Sequence, residues 1–151
     1  MNNTAMPLKP PFHKQETRYS CVPACLRMVL GSFGVDLSES ALRVHCDCTP
    51  YGTDALMAVD AAHALGFTRT VKCTLALEAL KTLMTDGYCP IVFVDLYPID
   101  GVADIHAMVV IGMSEQEIIV LDPLQGERRL LIDVFTAAWA RRHNLAILVE
   151  R

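Results

Sequence analysis

Apolar positions change their spacing partway along the chain. From Ser20 onward, Ala24, Cys25, Met28 and Val29 recur at helical intervals, and Gly31 and Gly34 are the expected stop. Pro23 suits the first turn of that helix, because the N–H it lacks would have had no partner there. A second short helix is expected to reach about Val44, with Ser38 as its cap and Glu39 facing the positive end of its dipole. Cys46 to Gly52 reads as a turn-rich loop. Thr53 is expected to cap a helix over about Asp54 to Leu65, ended by Gly66. Phe67 to Cys73 alternates like a strand, and Leu75 to Thr85 reads as a helix ending near Gly87.

Beyond that point strands dominate. Pro90 to Leu96, Ala107 to Gly112, Glu117 to Leu121 and Arg128 to Ile132 are predicted strands, with turns at Gly101, Ser114 to Gln116 and Pro123 to Gly126. A helix over Asp133 to Arg142 and a last strand over Leu145 to Val149 complete the pattern. Helices first and a largely antiparallel sheet afterwards is the α+β class. Residues 1–20 are polar and proline-rich, and 1–14 are expected to form an extended arm. No linker or internal repeat divides residues 1–151, so one domain is expected.

Composition narrows the function classes. Hydrophobic residues make up 52% and charged residues 20%, which a disordered chain would not carry. A net charge of −4 disfavours nucleic acid or an anionic membrane surface as a ligand. No apolar run is long enough for a membrane span, and Met1 to Pro10 lacks the apolar segment of a secretory signal. A cytoplasmic protein with reduced thiols is therefore expected, with export by another route open. The six cysteines stop at Cys89, and several lie in apolar periodic segments where a free thiol acts as a small hydrophobe.

Four residues suggest chemistry. Cys21 falls at the start of the first helix, where unpaired N–H groups and the dipole favour negative charge. Cys25, one turn later on the apolar side, serves as its core counterpart. His106 heads an apolar strand, a rigid mount for a general base. Asp122 ends the following strand, and a hairpin would return it beside His106, where a carboxylate holds the imidazole tautomer. Gln15, six residues before Cys21, carries an amide that could donate to an oxyanion together with the Cys21 N–H. Each alone has an ordinary structural reading. Together they supply what acyl transfer through a thiolate needs.

The segment Gln15-Glu16-Thr17-Arg18-Tyr19-Ser20-Cys21-Val22-Pro23-Ala24-Cys25-Leu26-Arg27-Met28 resembles the active-site segment of the bacteriocin-processing, or double-glycine, papain-like cysteine peptidases. Ile105 to Gly112 resembles that family's histidine strand, and Val120-Leu121-Asp122-Pro123 its Asp-Pro signature. The resemblance implies a papain-like fold with Cys21 as nucleophile, His106 as base and acid, Asp122 as orienting acid and Gln15 as oxyanion donor. It also implies cleavage of peptide or protein substrates after paired small residues such as Gly-Gly, without a cofactor. Ser20 and Val22 depart from the Asp and Gly that usually flank the nucleophile, and Val22 would narrow the space near the thiol. No transporter domain follows, so a stand-alone member is expected, with a secretion or immunity partner as a possible associate. The same thiol would also serve a delivered toxin, a deamidase or an acyltransferase, and the fold alone would serve a leader-peptide-binding module.

Other candidates compete less well. His45-Cys46-Asp47-Cys48 offers soft ligands, but structural zinc more often uses pairs spaced by two residues, and no metal is expected. Asp104 is a weaker partner for His106 than Asp122. His13, His63 and His143 have no partner suggested by spacing, and His63 reads as a satisfied histidine at the core edge. Trp139 with Phe135 and Ala138 reads as core. Arg128 with Arg129, and Arg141 with Arg142, read as solvated ends.

Overall fold

The computed structural model describes residues 9–151, and positions 1–8 of the expected arm lie outside the described residues. Three helices come first: α1 (Cys21–Ser32), α2 (Glu39–His45) and α3 (Ala55–Ala64). Then follow β1 (Val71–Thr74), α4 (Leu77–Thr85), β2 (Ile91–Asp95) and a four-residue helix, α5 (Tyr97–Asp100). The chain ends with β3 (Ile105–Met113), β4 (Glu117–Asp122), β5 (Gly126–Leu131), α6 (Ile132–Ala140) and β6 (Leu145–Leu148). All strand pairs are antiparallel, in the order β1-β6-β2-β3-β4-β5. The α+β expectation holds.

Period-two alternation divides the sheet into two apolar faces. Ile91, Phe93, Ala107, Val109, Leu121 and Ile147 pack with the first three helices. Val92, Val94, Met108, Val110, Val120 and Ala146 pack with Leu80 of α4 and with Phe135, Ala138 and Trp139 of α6. A sheet covered on both sides explains why β2 and β3 read as nearly continuous apolar runs. Trp139 is fully buried, as expected of core, and its indole N–H donates to the Leu145 carbonyl at 2.9 Å.

Several local expectations need correction. Asp54, not Thr53, caps α3, its carboxylate accepting from the Met57 N–H at 3.2 Å. Phe67 precedes β1 and is a core anchor, its ring edge-on to Phe33 at 5.1 Å, so its apolar character reflects burial and not strand alternation. α4 starts two residues later than expected, and Leu75 instead donates its N–H to the Asn144 carbonyl. α5 was not anticipated; its signals are Pro98 at the helix start and Gly101, which takes the left-handed conformation at φ 74°.

Gly31 does not end α1 but lies inside it. A Cβ there would sit 2.7 Å from Pro11 Cγ, so the glycine lets the N-terminal arm cross the helix closely. Alanine is worth up to about 1 kcal/mol over glycine inside a helix, but overpacking costs about 1–3 kcal/mol. Gly31→Ala is therefore expected to be slightly destabilising, with a Tm lower by about 2–4 °C in a melt followed by circular dichroism. A higher Tm would mean that the arm does not press on α1.

Candidate active site

Three chain segments meet at one end of the sheet, where α1 begins, β3 begins and β4 ends. Cys21 is the first residue of α1 and is half-buried. Ser20 occupies the N-cap position but makes no side-chain capping bond, so the positive end of the helix dipole stays uncapped beside the thiol. One turn further in, Cys25 is fully buried. Burial, then the charges of Cys21 and Asp122, push its thiol well above the ordinary value.

His106 is the second residue of β3 and pairs with Val94 of β2, so its backbone is fixed against that strand. The imidazole is 4% exposed, and its Nε2 lies 2.7 Å from Asp122 Oδ1. Nδ1 is the ring nitrogen not engaged by Asp122. Burial opposes the charged imidazole, but hydrogen bonds with Asp122 and Cys21 and the negative charge of both outweigh it, raising its pKa to about 9.

Asp122 closes β4 and is 1% exposed. Its Oδ1 also accepts from the Leu124 N–H at 2.8 Å, an Asx turn made possible by the following proline. Its Oδ2 accepts from Arg128 Nη1 at 3.1 Å, and Arg128 in turn forks onto Asp100 at 2.7 and 3.0 Å. Desolvation works against the carboxylate, yet the bonds and charges of His106, then Leu124 and Arg128, hold it below the usual range. Arg128 was expected to be a solvated strand end. Its guanidinium is 18% exposed and braces Asp122.

Gln15 reaches the same place through the backbone, its N–H donating to the Pro123 carbonyl at 2.8 Å. The side chain is buried, and Nε2 donates to the Thr17 carbonyl at 2.7 Å, which leaves the second amide hydrogen free. Its Oε1 is buried without a partner.

Cys21 and His106 both line a cleft of ≈ 910 Å³ whose walls include Tyr19, Val22, Phe93 and Ala107. Asp104 also borders the cleft, but the ring nitrogen of His106 is bonded to Asp122. His63 is exposed and bonds the Thr70 carbonyl at 2.8 Å through Nε2. In the His45–Cys48 stretch, Cys46 belongs to the core, its thiol pushed up to about 12 by burial and the charge of Cys48. Among the described residues no group of three or more His, Cys, Asp or Glu side chains is arranged to hold a metal ion. All six cysteines are free.

Sequence reasoning missed Glu39. It was assigned to the dipole of α2, but its side chain is 1% exposed and faces the loop that leads to Cys21. The available signal was Arg43, four residues on, which pairs with it across one helical turn.

The sequence model of the Peptidase C39 family matches residues 9–151. Among solved structures, the peptidase domain of Streptococcus ComA, a bi-functional ABC transporter involved in a quorum-sensing pathway, is 28% identical. It superposes with a TM-score of 0.76 over 95% of this chain and 100% of that one. A double-glycine-motif protease from an AMS/PCAT transporter, in complex with its leader peptide, has a TM-score of 0.77 at 19% identity, covering 98% and 96%. A C39-like peptidase from Bacillus anthracis reaches 0.80 at 17% identity, covering 97% and 98%. No curated protein matches the sequence. Among the described residues no helix is long and apolar enough to cross a membrane.

Proposed function

The chain belongs to the peptidase C39 family of cysteine peptidases, and from that footing we propose that it acts as one domain cleaving peptides after paired small residues such as Gly-Gly, with Cys21 as nucleophile. The observation that carries this is the buried His106, whose Nε2 lies 2.7 Å from Asp122 Oδ1 and which lines the same cleft as Cys21.

The steps follow from that arrangement. Cys21 Sγ, having given its proton to His106, attacks the scissile carbonyl carbon and forms a C–S bond. The carbonyl oxygen becomes an oxyanion held by the Cys21 N–H and the free amide hydrogen of Gln15. The C–N bond then breaks as the imidazolium of His106 gives its proton to the leaving amine. Water, deprotonated by His106, attacks the thioester and returns the thiol. Asp122 stays ionised throughout, orienting the ring and balancing its charge.

Small residues before the cut suit the walls of the cleft. Val22 is adjacent to the nucleophile and 3% exposed, and Phe93 is buried behind it, so side chains entering there meet packed atoms. Support for a leader-type substrate comes from the protease solved with its leader peptide. The test is a peptide series differing only at the two residues before the cut, read by mass spectrometry. Gly-Gly is expected to exceed Val-Val in kcat/KM by about 100-fold, the scale of discrimination by packing in a tight pocket. Equal rates would sink the small-residue reading. A mass gain on Gln or Asn with no new peptide ends would assign the thiol to deamidation or acyl transfer.

A further inference from the structure

We propose that Glu39 is a positioning residue that sets the oxyanion site by holding the loop from Gln15 to Cys21. This rests on the roles given above to Gln15 and Cys21. The loop has no regular structure of its own, so its backbone groups must find partners elsewhere. Glu39 provides them from inside α2. Its Oε1 accepts from the Glu16 N–H at 2.9 Å and from Ser20 Oγ at 3.2 Å, while Oε2 pairs with Arg43. Arg43 also reaches Glu16 Oε1 at 3.2 Å, so the residue beside Gln15 is held through both its backbone and its side chain.

The network continues toward the catalytic atoms. Ser20 is fully buried, and its hydroxyl oxygen accepts from the Thr17 N–H at 3.1 Å. Thr17 in turn presents the carbonyl that receives Gln15 Nε2. The Ser20 hydroxyl has one hydrogen and two acceptors at 3.2 Å, Glu39 Oε1 and the Thr17 carbonyl, so it joins the carboxylate to the same residue that receives Gln15 Nε2. At the other end Ser20 leads directly into Cys21, whose N–H is the second oxyanion donor. Glu39 itself does not border the cleft. It touches neither substrate nor nucleophile. Burying a carboxylate is costly unless every oxygen is satisfied, and here both oxygens are bonded to the loop and its brace.

The test uses the full chain and a Gly-Gly peptide. Glu39→Leu is expected to lower kcat about 100-fold, the effect of displacing donors by around 1 Å. KM should stay within about threefold, because the interaction lost is one made in the transition state. Alkylation of Cys21 by iodoacetamide should keep the parental rate and pH profile, since that reaction builds no oxyanion. Glu39→Gln, whose amide oxygen still accepts from Glu16 and Ser20, should recover most of kcat. In a Gln15→Ala background, Glu39→Leu should cost clearly less than the roughly 100-fold it costs alone, because the share acting through Gln15 is already lost and only the share acting through the Cys21 N–H remains. Ser20→Ala, which cuts the same network with less disturbance, carries the same comparisons should Glu39→Leu fail to fold.

Parental kcat in a folded Glu39→Leu or Ser20→Ala protein overturns the proposal. So does a parallel fall in kcat and alkylation, or an undiminished loss in the Gln15→Ala background. Parental kcat in Gln15→Ala alone instead overturns the oxyanion reading of the preceding section, and is recognised without any change at Glu39.

Discussion

Cys21→Ala is expected to abolish cleavage, with kcat lower by about 10⁶-fold, while the protein stays folded. The size of the effect follows from the chemistry, since without the sulfur no acyl-enzyme forms and only the binding and oxyanion contributions remain. The fold should tolerate the change. Cys21 is half-buried at a cleft wall, and alanine suits a helix, so stability should move by less than about 1 kcal/mol. None of Cys25, Cys46 and Cys89 can substitute. Burial, with the charges of Cys21 and Asp122, holds the Cys25 thiol far above neutrality; burial and Cys48 raise Cys46 to about 12, and burial raises Cys89 to about 11. Peptide cleavage measured beside the melting curve checks both halves. A folded Cys21→Ala protein that cleaves like the parent would end the peptidase mechanism proposed for this cleft.

The second large effect is at His106. His106→Ala should lower kcat on the order of 10⁴-fold or more, because the base for the thiol and the acid for the leaving amine are lost together. The pH profile makes the assignment sharper. Despite burial, Asp122 and Cys21 raise the imidazole to about 9, so the protonated form needed by the leaving amine persists through neutrality. Activity should therefore hold on the alkaline side until the pH passes about 9, and fall above it. Asp122→Asn removes the charge and exchanges the strongest raising bond for a weaker one, so the alkaline limb should move to lower pH. A limb that stays in place in Asp122→Asn would mean that another group sets it. Stability has the same sign. A folded-state pKa raised above the ordinary 6.5 contributes stability that is complete below that value and is lost as the pH rises through 9.

The two motifs around Cys21 and His106 were legible for a local reason. α1 announces itself through apolar spacing and Pro23, and β3 through an unbroken apolar run, and both signals come from residues within a turn or a pleat of each other. The β3–β4 hairpin is similarly local, so the meeting of His106 with Asp122 could be anticipated from a short turn at Ser114 to Gln116. Boundaries were less secure. Phe67 resembled a strand residue because burial in a turn and burial in a strand demand the same apolar side chain. Thr53 and Asp54 are both good caps, and only the backbone angle at the helix start selects Asp54.

Sheet order, the bonds of Glu39 to the loop before α1 and the fork of Arg128 onto Asp100 belong to the tertiary structure alone. β6, last in the chain, lies between β1 and β2, an arrangement set by which apolar faces can be covered at once by helices on both sides. Glu39 and Arg128 look in isolation like any solvated helix end or strand charge. Beside their near partners Arg43 and Asp122, they bond Ser20, Glu16 and Asp100, which lie 19 to 28 residues away. Periodicity records the solvent that each side chain avoids, and it acts over a few neighbouring residues. A charged group's partner depends on which distant segment the folded chain brings within about 3 Å, and no short stretch of sequence carries that distance.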